Sequence, residues 1–488
     1  MKLFILIFML VMISVLSAQE WSEPINISNT EEMDSNPEFC IDNNGVLHCV
    51  WRLQIEANFR KIYYSKSEDE GETWSEPLNI SQNNELWMGL PHIVSDSQNN
   101  LYVAYLHNVA GTGDTPRIYF TKFDGTSWCQ PYCISEQYGG VGMSDVVVDN
   151  NDRVYVFWHW GGLEGEIYYR YLENDEWSDI ICPYENNSDH YCLAEAVSDD
   201  NNNLHCIIDH HPEEIGSRTS YIKYDYYSDT WEDAIILAER RCQQGKDINL
   251  DTNDFPHLVW REYTNDSIPP NDGTFYSYYD GANFSEPEIL VEDPWWQVIE
   301  IDGNNVIHIV EAEKYDTGSD IVKNLVYYNN SNNIWEGNII FESDNSAGLP
   351  KIDIFEDKLY LIFFNSNDVT ESDIYFMQKE IDTIASEENI IQDISHNNIK
   401  LSQNYPNPFN PQTKINFSLR KGGKTTLKIF NVKGQLVKLL VNEHKQKGDH
   451  SVIWNGTDMQ NRQVSSGVYY YRLQVENRVK TKSLTLVK

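Results

Sequence analysis

Most of the chain alternates between apolar and polar residues in short runs that are separated by turns. Between residues 36 and 81, two such runs flank Asn43-Asn44-Gly45, and a third run is joined to a fourth through a turn rich in Asp and Gly. Alternation with a period of two predicts β-strands, and these turns predict hairpins. The segment therefore predicts a four-stranded antiparallel meander. A single meander has two apolar faces to cover, so we expect copies of it to stack.

The same pattern recurs at intervals of about fifty residues along the first 380 residues. The aligned first strands carry, at one shared position, Glu38, His92, Asp145, Glu195, Asp247, Val298 and Lys351. Repeats of this size made of four short strands are typical of a β-propeller. The seventh copy lacks a fourth strand, whereas the segment that starts at Trp21 repeats the one that starts at Trp74. We therefore predict an all-β chain with a seven-bladed β-propeller over residues 19–380, in which the N-terminal strand closes the last blade.

The two ends of the chain differ from the repeats. Lys2 precedes an unbroken apolar run over residues 3–16, which predicts a signal peptide over residues 1–18. This run is short for a membrane span, and no transmembrane segment is expected after cleavage. Residues 381–398 are polar without alternation and are interpreted as a linker. Alternation resumes over residues 399–488 and predicts a small immunoglobulin-like β-sandwich.

Charge divides the chain at the same place. Residues 399–488 contain 16 Lys and Arg against 4 Asp and Glu, which leaves 20 against 71 in the rest of the chain. The acidic part argues against binding to nucleic acid, because phosphate backbones require clustered Lys and Arg. All eight cysteines lie in this part, and their even number permits disulfides without fixing the pairing. Cys40 and Cys49 lie on the two arms of one hairpin and are candidate cross-strand neighbours, while no spacing predicts a zinc site.

Four segments of the basic part carry a specific resemblance. They are Tyr405-Pro-Asn-Pro-Phe-Asn-Pro, Ile429-Phe-Asn-Val-Lys-Gly-Gln, Ile453-Trp-Asn-Gly and Ser466-Gly-Val-Tyr-Tyr-Tyr-Arg-Leu. Together they resemble the C-terminal type A sorting domain of the type IX secretion system, over essentially all of residues 399–488. The resemblance implies the type IX machinery as a partner, and a protein that is secreted or attached to the outer membrane at the cell surface. An immunoglobulin-like module that binds carbohydrate is the alternative.

A second resemblance lies in the first repeat. Ser67-Glu-Asp-Glu-Gly-Glu-Thr-Trp looks like the Asp-box, or BNR repeat, of sialidases. We expect the Asp69 carboxylate to cap the turn, Gly71 to supply a positive φ and Trp74 to pack beneath. In sialidase-like propellers this turn joins the third and fourth strands at the periphery. The motif therefore predicts architecture and not catalysis.

Candidate chemistry lies at the other end of each repeat, where the first strands begin and the second strands end. Five of the seven aligned positions carry a carboxylate or an imidazole, and acids crowded around one opening should have raised pKa values. The predicted acid/base residues are Glu38, Asp145, Glu195, Asp247, His107 and His159. The predicted substrate-binding residues are Arg52, His92, Trp160, Arg261 and Glu262, with Trp160 as a stacking platform. No metal or cofactor is predicted, although the acidic face could take Ca²⁺.

The polar strand starts also have a purely structural interpretation as solvated residues. His48, His205, His257 and His308 recur inside second strands and are expected to be packed repeat residues.

The two enzyme families that the repeats resemble limit the functional prediction. Sialidases bind their substrate with three arginines, one of them in an Arg-Ile-Pro segment, but Asn36-Pro-Glu-Phe takes its place here. Arg52 and Arg261 hold equivalent positions, and a third arginine is not evident. Seven-bladed polysaccharide lyases use His, Tyr and Arg at the channel mouth, for which His107, His159 and Arg170 are candidates. We predict a propeller that recognises extracellular glycans, with cleavage as a glycoside hydrolase or polysaccharide lyase left open; the alternative is a non-catalytic surface propeller that binds protein or matrix.

Overall fold

The computed structural model describes residues 21–487, with gaps. The gaps are residues 57–58, 83–86, 109–115, 137–140, 161–165, 185–189, 212–217, 239–241, 264–271, 293, 317–320, 332–334, 367–370, 382–398, 402–403, 405, 420–422, 432–435, 461 and 476–477. The expected signal peptide and almost all of the expected linker lie outside the described residues.

The described residues form β-strands, and no helix occurs among them, which confirms the all-β class. The first nine strands are β1 (Ile25–Asn26), β2 (Met33–Ile41), β3 (Leu47–Glu56), β4 (Phe59–Ser67), β5 (Leu78–Asn79), β6 (Trp87–Ser95), β7 (Leu101–Asn108), β8 (Arg117–Phe123) and β9 (Tyr132–Cys133). The next nine are β10 (Val141–Val148), β11 (Val154–Trp160), β12 (Glu166–Glu173), β13 (Glu176–Trp177), β14 (His190–Ser198), β15 (Leu204–His211), β16 (Arg218–Asp225), β17 (Thr230–Trp231) and β18 (Ile235–Ala238). Then follow β19 (Cys242–Leu250), β20 (Pro256–Tyr263), β21 (Asp272–Tyr278), β22 (Glu288–Glu292), β23 (Pro294–Ile301), β24 (Ile307–Asp316), β25 (Ile321–Asn329), β26 (Glu336–Phe341), β27 (Ser346–Phe355), β28 (Lys358–Ser366) and β29 (Ser372–Glu380).

Consecutive strands pair antiparallel into meanders, for example β6-β7-β8-β9, β10-β11-β12-β13 and β19-β20-β21-β22. β1 does not pair with β2 but with β29, near the other end of the repeats, with Ile25 opposite Phe376. Apolar clusters lie between successive meanders, as where Val154 and Trp158 of one meander pack with Phe120 of the preceding one. Each meander thus covers its apolar faces with its neighbours.

The turn after most first strands is built by one aspartate. The Asp42 Oδ1 accepts the backbone N–H groups of Asn44 and Val46, at 2.8 and 3.0 Å. The same pair of hydrogen bonds recurs at Asp96, Asp149, Asp199, Asp251 and Asp302. Gly45 adopts a φ of 80° within the first of these turns. A carboxylate that satisfies two turn N–H groups explains why six of the seven repeats end their first strand on an aspartate, whereas the seventh has Phe355 there.

A histidine or tyrosine packs beneath each of these turns. In four second strands a histidine Nδ1 lies 2.6–2.8 Å from a tyrosine hydroxyl of the third strand, as in His48 with Tyr64. All four histidines are buried, at 3–8% exposure. His48, His205, His257 and His308 are therefore packed repeat residues, as expected from the sequence.

The turn that resembles an Asp-box has the expected local structure. The Asp69 Oδ1 accepts the N–H of Thr73 at 2.9 Å, and Gly71 has a φ of 90°. A Cβ on Gly71 would lie 2.1 Å from the ring of Phe376, so only glycine fits. Trp74 packs on the same ring, with centroids 5.4 Å apart. The motif stabilises a turn and its contact with a neighbouring meander.

The cysteines do not form the expected hairpin pair. Cys40 lies opposite His48, whereas Cys49 lies opposite Phe39, so the two thiols point to opposite faces of the sheet. Among the cysteines whose side chains are described, Cys40, Cys49, Cys129, Cys133 and Cys206 carry free thiols. Burial raises the pKa of the Cys49 and Cys206 thiols well above the ordinary value. The candidate pairing of Cys40 with Cys49 is therefore wrong.

The basic C-terminal part is a separate β-sandwich. Its strands are β30 (Ile399–Leu401), β31 (Thr413–Leu419), β32 (Gly423–Asn431), β33 (Leu436–Lys445), β34 (Gly448–Trp454), β35 (Gly467–Val475) and β36 (Arg478–Leu486). They form one sheet in the order β30-β31-β34 and another in the order β33-β32-β35-β36. Trp454, Tyr471 and Phe417 are buried in the core between them.

No helix in the described part of the chain combines the length and the apolar character that a membrane crossing requires.

Candidate functional site

The seven aligned positions of the first strands share one register in the structure. Each pairs with a buried residue in the middle of the second strand, for example Glu38 with Val50, Glu195 with Ile207 and Lys351 with Ile362. Each also follows a register shift, such as the one between Ser35 and Glu38. A β-bulge bends its strand and re-aims the side chain beyond it. The repeat pattern in the sequence thus corresponds to one repeated backbone feature.

Lys351 brings three first strands together. Its Nζ lies 3.0 Å from Glu38 Oε1 and 3.1 Å from Glu195 Oε1, which belong to β2 and β14. These side chains retain 18–19% exposure. The nearby His92 Nδ1 lies 3.4 Å from Asp145 Oδ1. Glu38, His92, Asp145, Glu195 and Lys351 therefore form one cluster, which we call the central cluster.

The central cluster contains more acids than bases, and its pKa values reflect this. Burial raises the pKa of Glu38, and Lys351 opposes this effect. Burial likewise raises the pKa of Asp145 to about 6, and burial together with Glu195 raises that of Asp247 to about 8. For Lys351, burial disfavours the ammonium, but Glu195, Glu38 and Asp247 outweigh it and raise its pKa well above the ordinary value. The expected rise in carboxyl pKa values is present.

Two of these acids are also tied to the backbone of neighbouring meanders. Asp145 accepts the N–H of Val146 in its own strand at 2.7 Å and that of Ala196 in the next meander at 2.8 Å. Asp247 makes the same two contacts, with Ile248 and Ile299, both at 2.8 Å. Each carboxylate thus uses both oxygens to join adjacent first strands. Their catalytic role stays a prediction, whereas their structural role is visible.

A metal could in principle be held here. His92, Asp145 and Glu195 place ligand atoms within 4.8 Å of one another. However, the Lys351 ammonium already contacts Glu195 and provides positive charge. Ca²⁺ prefers a shell of oxygen ligands, so an imidazole makes this a poor calcium site.

Above the central cluster lies the rim, the level at which first strands begin and second strands end. On each second strand, the rim position comes two residues after the residue that pairs with the aligned first-strand position. Four polar residues occupy it: Arg52, His159, Asp209 and Arg261. Burial and the neighbouring Arg60 lower the pKa of Arg52 to about 10. Its Nε has no hydrogen-bond partner among the residues described. The Arg52 guanidinium is therefore largely removed from water without a hydrogen bond from its Nε–H to any of the described residues.

His159 occupies the rim on β11. Its ring lies over Gly142, where a Cβ would come within 2.0 Å of His159 Nε2. Burial lowers the pKa of His159, against the opposing effect of Asp209. The Asp209 Oδ1 is itself 2.8 Å from Lys246 Nζ. His159 is therefore a neutral imidazole at neutral pH, and its Nδ1 has no hydrogen-bond partner in the described part of the chain.

Two predicted site residues, His107 and Glu262, do not lie with Arg52, His159 and Arg261 at the rim. His107 is 4% exposed and packs on Tyr119, with ring centroids 4.5 Å apart. Glu262 is 5% exposed and accepts the Trp260 Nε1–H at 3.1 Å. Both lie one residue beyond the rim position, so their side chains point to the opposite face of the sheet. The side chain of Trp160 lies outside the described structure.

Arg170, the arginine of the lyase comparison, also lies elsewhere. Its guanidinium donates to the backbone carbonyls of Ser178 and Ile134, at 2.9 and 3.2 Å. These contacts are on the third strand, away from the rim residues of β11.

The sequence patterns missed a second group on the rim, around Trp295. This tryptophan is 39% exposed and is the bulged residue of β23, between Pro294 and Trp296 in the register shift. Three cations surround its ring: Lys323 Nζ at 3.5 Å, Lys314 Nζ at 5.4 Å and Arg261 Cζ at 5.7 Å from the centroid. The two lysines are neighbours only because β24 pairs with β25. The alternation of apolar and polar residues along the sequence does not show which residues of two strands lie opposite each other.

Comparison with known proteins gives fold information for both parts of the chain. Residues 406–478 match the model of the FlgD Ig-like domain, which agrees with a C-terminal immunoglobulin-like domain. No curated protein matches the chain.

Solved structures resemble the repeats. A polysaccharide lyase of the PL25 ulvan lyase family has a TM-score of 0.51 at 11% identity, over 73% of this chain and 94% of its own. The polysaccharide lyase Uly1 has a TM-score of 0.50 at 8% identity, over 72% of this chain and 90% of its own. The Hadza microbial sialidase Hz136 is less similar, with a TM-score of 0.39 at 12% identity, over 57% and 63%. The likeness to the lyases shows that the repeats adopt a β-propeller fold.

Lys351→Met should destabilise the protein strongly. It leaves Glu38 and Glu195 without their counter-ion, and breaking a buried pair costs about 3–5 kcal/mol. Because a protonated carboxyl needs no counter-ion, the loss should be smaller at about pH 5 than at about pH 8. Chemical denaturation at both pH values measures the free energy of unfolding.

Lys358→Met is the matched control in the next strand. Lys358 pairs with Glu70 and Glu380 at the surface, where an ion pair contributes about 0–1 kcal/mol. If the two variants lose equal stability, or if the Lys351 variant shows no dependence on pH, the central cluster does not have the role assigned to it.

Proposed function

We propose that this protein is an exported propeller that recognises an extracellular polysaccharide on the rim. The observation that carries the proposal is the gathering of Arg52, His159, Arg261 and the group around Trp295 on one level of an otherwise acidic body. An exposed tryptophan is costly in the free protein, and so is a buried guanidinium such as that of Arg52, whose Nε has no hydrogen-bond partner among the described residues. Both become favourable when a polar ligand with an apolar sugar face binds there.

We further propose that the propeller has seven blades and that the N-terminal strand closes it. The pairing of β1 with β29 supports closure between the two ends of the repeats. The hydrogen bond of Asp353 with the backbone of Ile41 supports it at the centre, where it repeats the contacts of Asp145 and Asp247. A closed ring also removes exposed sheet edges.

Cleavage of the polysaccharide is a second candidate function, and His159 favours it. A general base must be unprotonated at the working pH, and the lowered pKa of His159 meets that requirement. Lys246 near Asp209 provides a cation close to the same place. Proton abstraction next to a uronate carboxylate would use these two features. The fold of the ulvan lyase propellers is compatible with such a reaction but does not by itself argue for it.

The full-length protein should bind one or more members of a panel of ulvan, polygalacturonate and sialylated oligosaccharides. Affinity electrophoresis measures the binding, and new reducing ends or the absorbance of unsaturated uronate measure cleavage. Arg52→Gln should weaken binding roughly tenfold, the loss of one charged hydrogen bond. Lys66→Gln, which changes a surface lysine paired with Glu68, should leave it unchanged.

His159→Gln separates recognition from cleavage. If the protein is an enzyme, the variant should retain binding and lose product formation. The wild-type rate should rise with pH and become constant above about pH 6.5, because the imidazole titrates below its ordinary value. Binding without product for any glycan would reject cleavage and keep recognition. The absence of binding to every glycan would reject both.

We also propose that residues 399–488 direct export through the type IX secretion machinery. The motifs at Tyr405, Ile429, Ile453 and Ser466 support this proposal, and the immunoglobulin-like fold is compatible with it. A fluorescent protein fused to residues 399–488 behind a signal peptide should reach the outside of a type IX-competent bacterium. It should stay in the periplasm of a secretion mutant. Equal export in both strains would contradict the proposal.

A further inference from the structure

The two lysines beside Trp295 are placed in an unfavourable arrangement. Lys314 and Lys323 are direct partners in the pairing of β24 with β25. Like charges directly opposite each other in a sheet are destabilising. Arg261 adds a third positive charge, and burial, Lys314 and Arg261 together lower the pKa of Lys323. The protein thus holds three cations near one ring at a cost to its own stability.

Contacts with Trp295 offset only part of this cost. Lys323 Nζ lies 3.5 Å from the ring centroid, a cation–π contact that contributes about 0.5–1 kcal/mol at an exposed site.

The cations around Trp295 lie in an acidic part of the chain. Glu311 is fully buried and accepts the Thr274 hydroxyl at 2.9 Å, and burial raises its pKa well above the ordinary value. Glu313 accepts the hydroxyl of Tyr328. Residues 1–398 contain 71 acids and 20 bases, so three bases around one exposed ring are a marked departure from the average of this part.

From these observations we infer that Trp295, Lys314, Lys323 and Arg261 form a subsite for an anionic sugar residue. The exposed ring stacks on the sugar, and the cations bind its sulfate or carboxylate group. A bound anion would lie next to all three cations and reduce the repulsion among them. This inference rests on the proposed function, since it names the class of glycan that the rim recognises.

The proposal explains two features that a purely structural role does not. A tryptophan that served only packing would be covered, whereas the bulge in β23 leaves Trp295 unpaired and 39% exposed. A lysine that served only solubility would face solvent without a second lysine opposite it.

The first test uses dextran sulfate, polygalacturonate and uncharged dextran of equal chain length as probes. The wild-type protein should bind at least one of the two charged polymers, and neutral dextran at least tenfold more weakly. Dextran sulfate alone identifies a sulfate, and polygalacturonate alone identifies a carboxylate. Affinity electrophoresis at two salt concentrations measures the binding. Equal affinity for the charged and uncharged polymers would overturn the inference.

Lys323→Glu is the decisive variant. It replaces the pair of like charges with an opposite-charge pair, so the unfolding midpoint should stay the same or rise. The affinity for the charged polymer should nevertheless fall at least tenfold. Trp295→Ala should weaken the same binding without changing its dependence on salt. A loss of affinity in Lys323→Glu that comes with a lower unfolding midpoint would indicate a structural role and contradict the subsite.

Lys122→Gln is the matched control. Lys122 also lies over an aromatic ring, 5.4 Å from the centroid of Tyr102, but it pairs with Asp175 at 2.9 Å. Its loss should leave the binding unchanged, and an equal loss in both lysine variants would indicate a general effect of net charge. If a neutral glycan binds and none of the variants affects it, the proposed function stands and this inference fails. If no glycan of any kind binds, both fail.

Discussion

The constraint on which the structure depends is that each meander has two apolar faces and covers neither by itself. The faces are covered when successive meanders pack against each other, as where Phe120 packs with Val154 and Trp158. This packing brings the first strands close together, along with whatever side chains they carry at one register position. Acids at that position are crowded and partly buried as a result. Lys351, which contacts Glu38 and Glu195 from a third strand, makes the crowding tolerable.

The two levels of the molecule differ in how their charges are compensated. In the central cluster, the carboxylates are paired with Lys351 or with backbone N–H groups, as Asp145 is with Ala196. On the rim, the Nε of Arg52 has no hydrogen-bond partner among the described residues, and the pKa values of Arg52 and Lys323 are lowered. Groups that are satisfied within the protein stabilise it, and groups that are not satisfied are available to a ligand. This difference moves the functional proposal from the acids of the central cluster to the cations and the imidazole of the rim.

Features that repeat with a fixed period could be predicted from the sequence. The all-β class, the turn at Asp69 and the shared register of Glu38 and Lys351 follow from alternation and spacing. Predictions failed where one residue of register decides the outcome. His107 and Glu262 were expected at the site, yet one step along a strand turns them to the other face; the same step separates Cys40 from Cys49. The group around Trp295 depends on a bulge and on strand pairing, neither of which is visible in the local pattern.

The most direct measurement is a crystal structure of the full chain with a short sulfated or uronate-containing oligosaccharide. We expect the sugar to lie on the rim, with its anionic group next to Lys323 and Arg261 and its ring on Trp295. We also expect the contacts of Lys351 with Glu38 and Glu195 to stay intact. A sugar bound to the sides of the meanders or to the C-terminal sandwich, with the rim empty, would show that the rim is not the binding site.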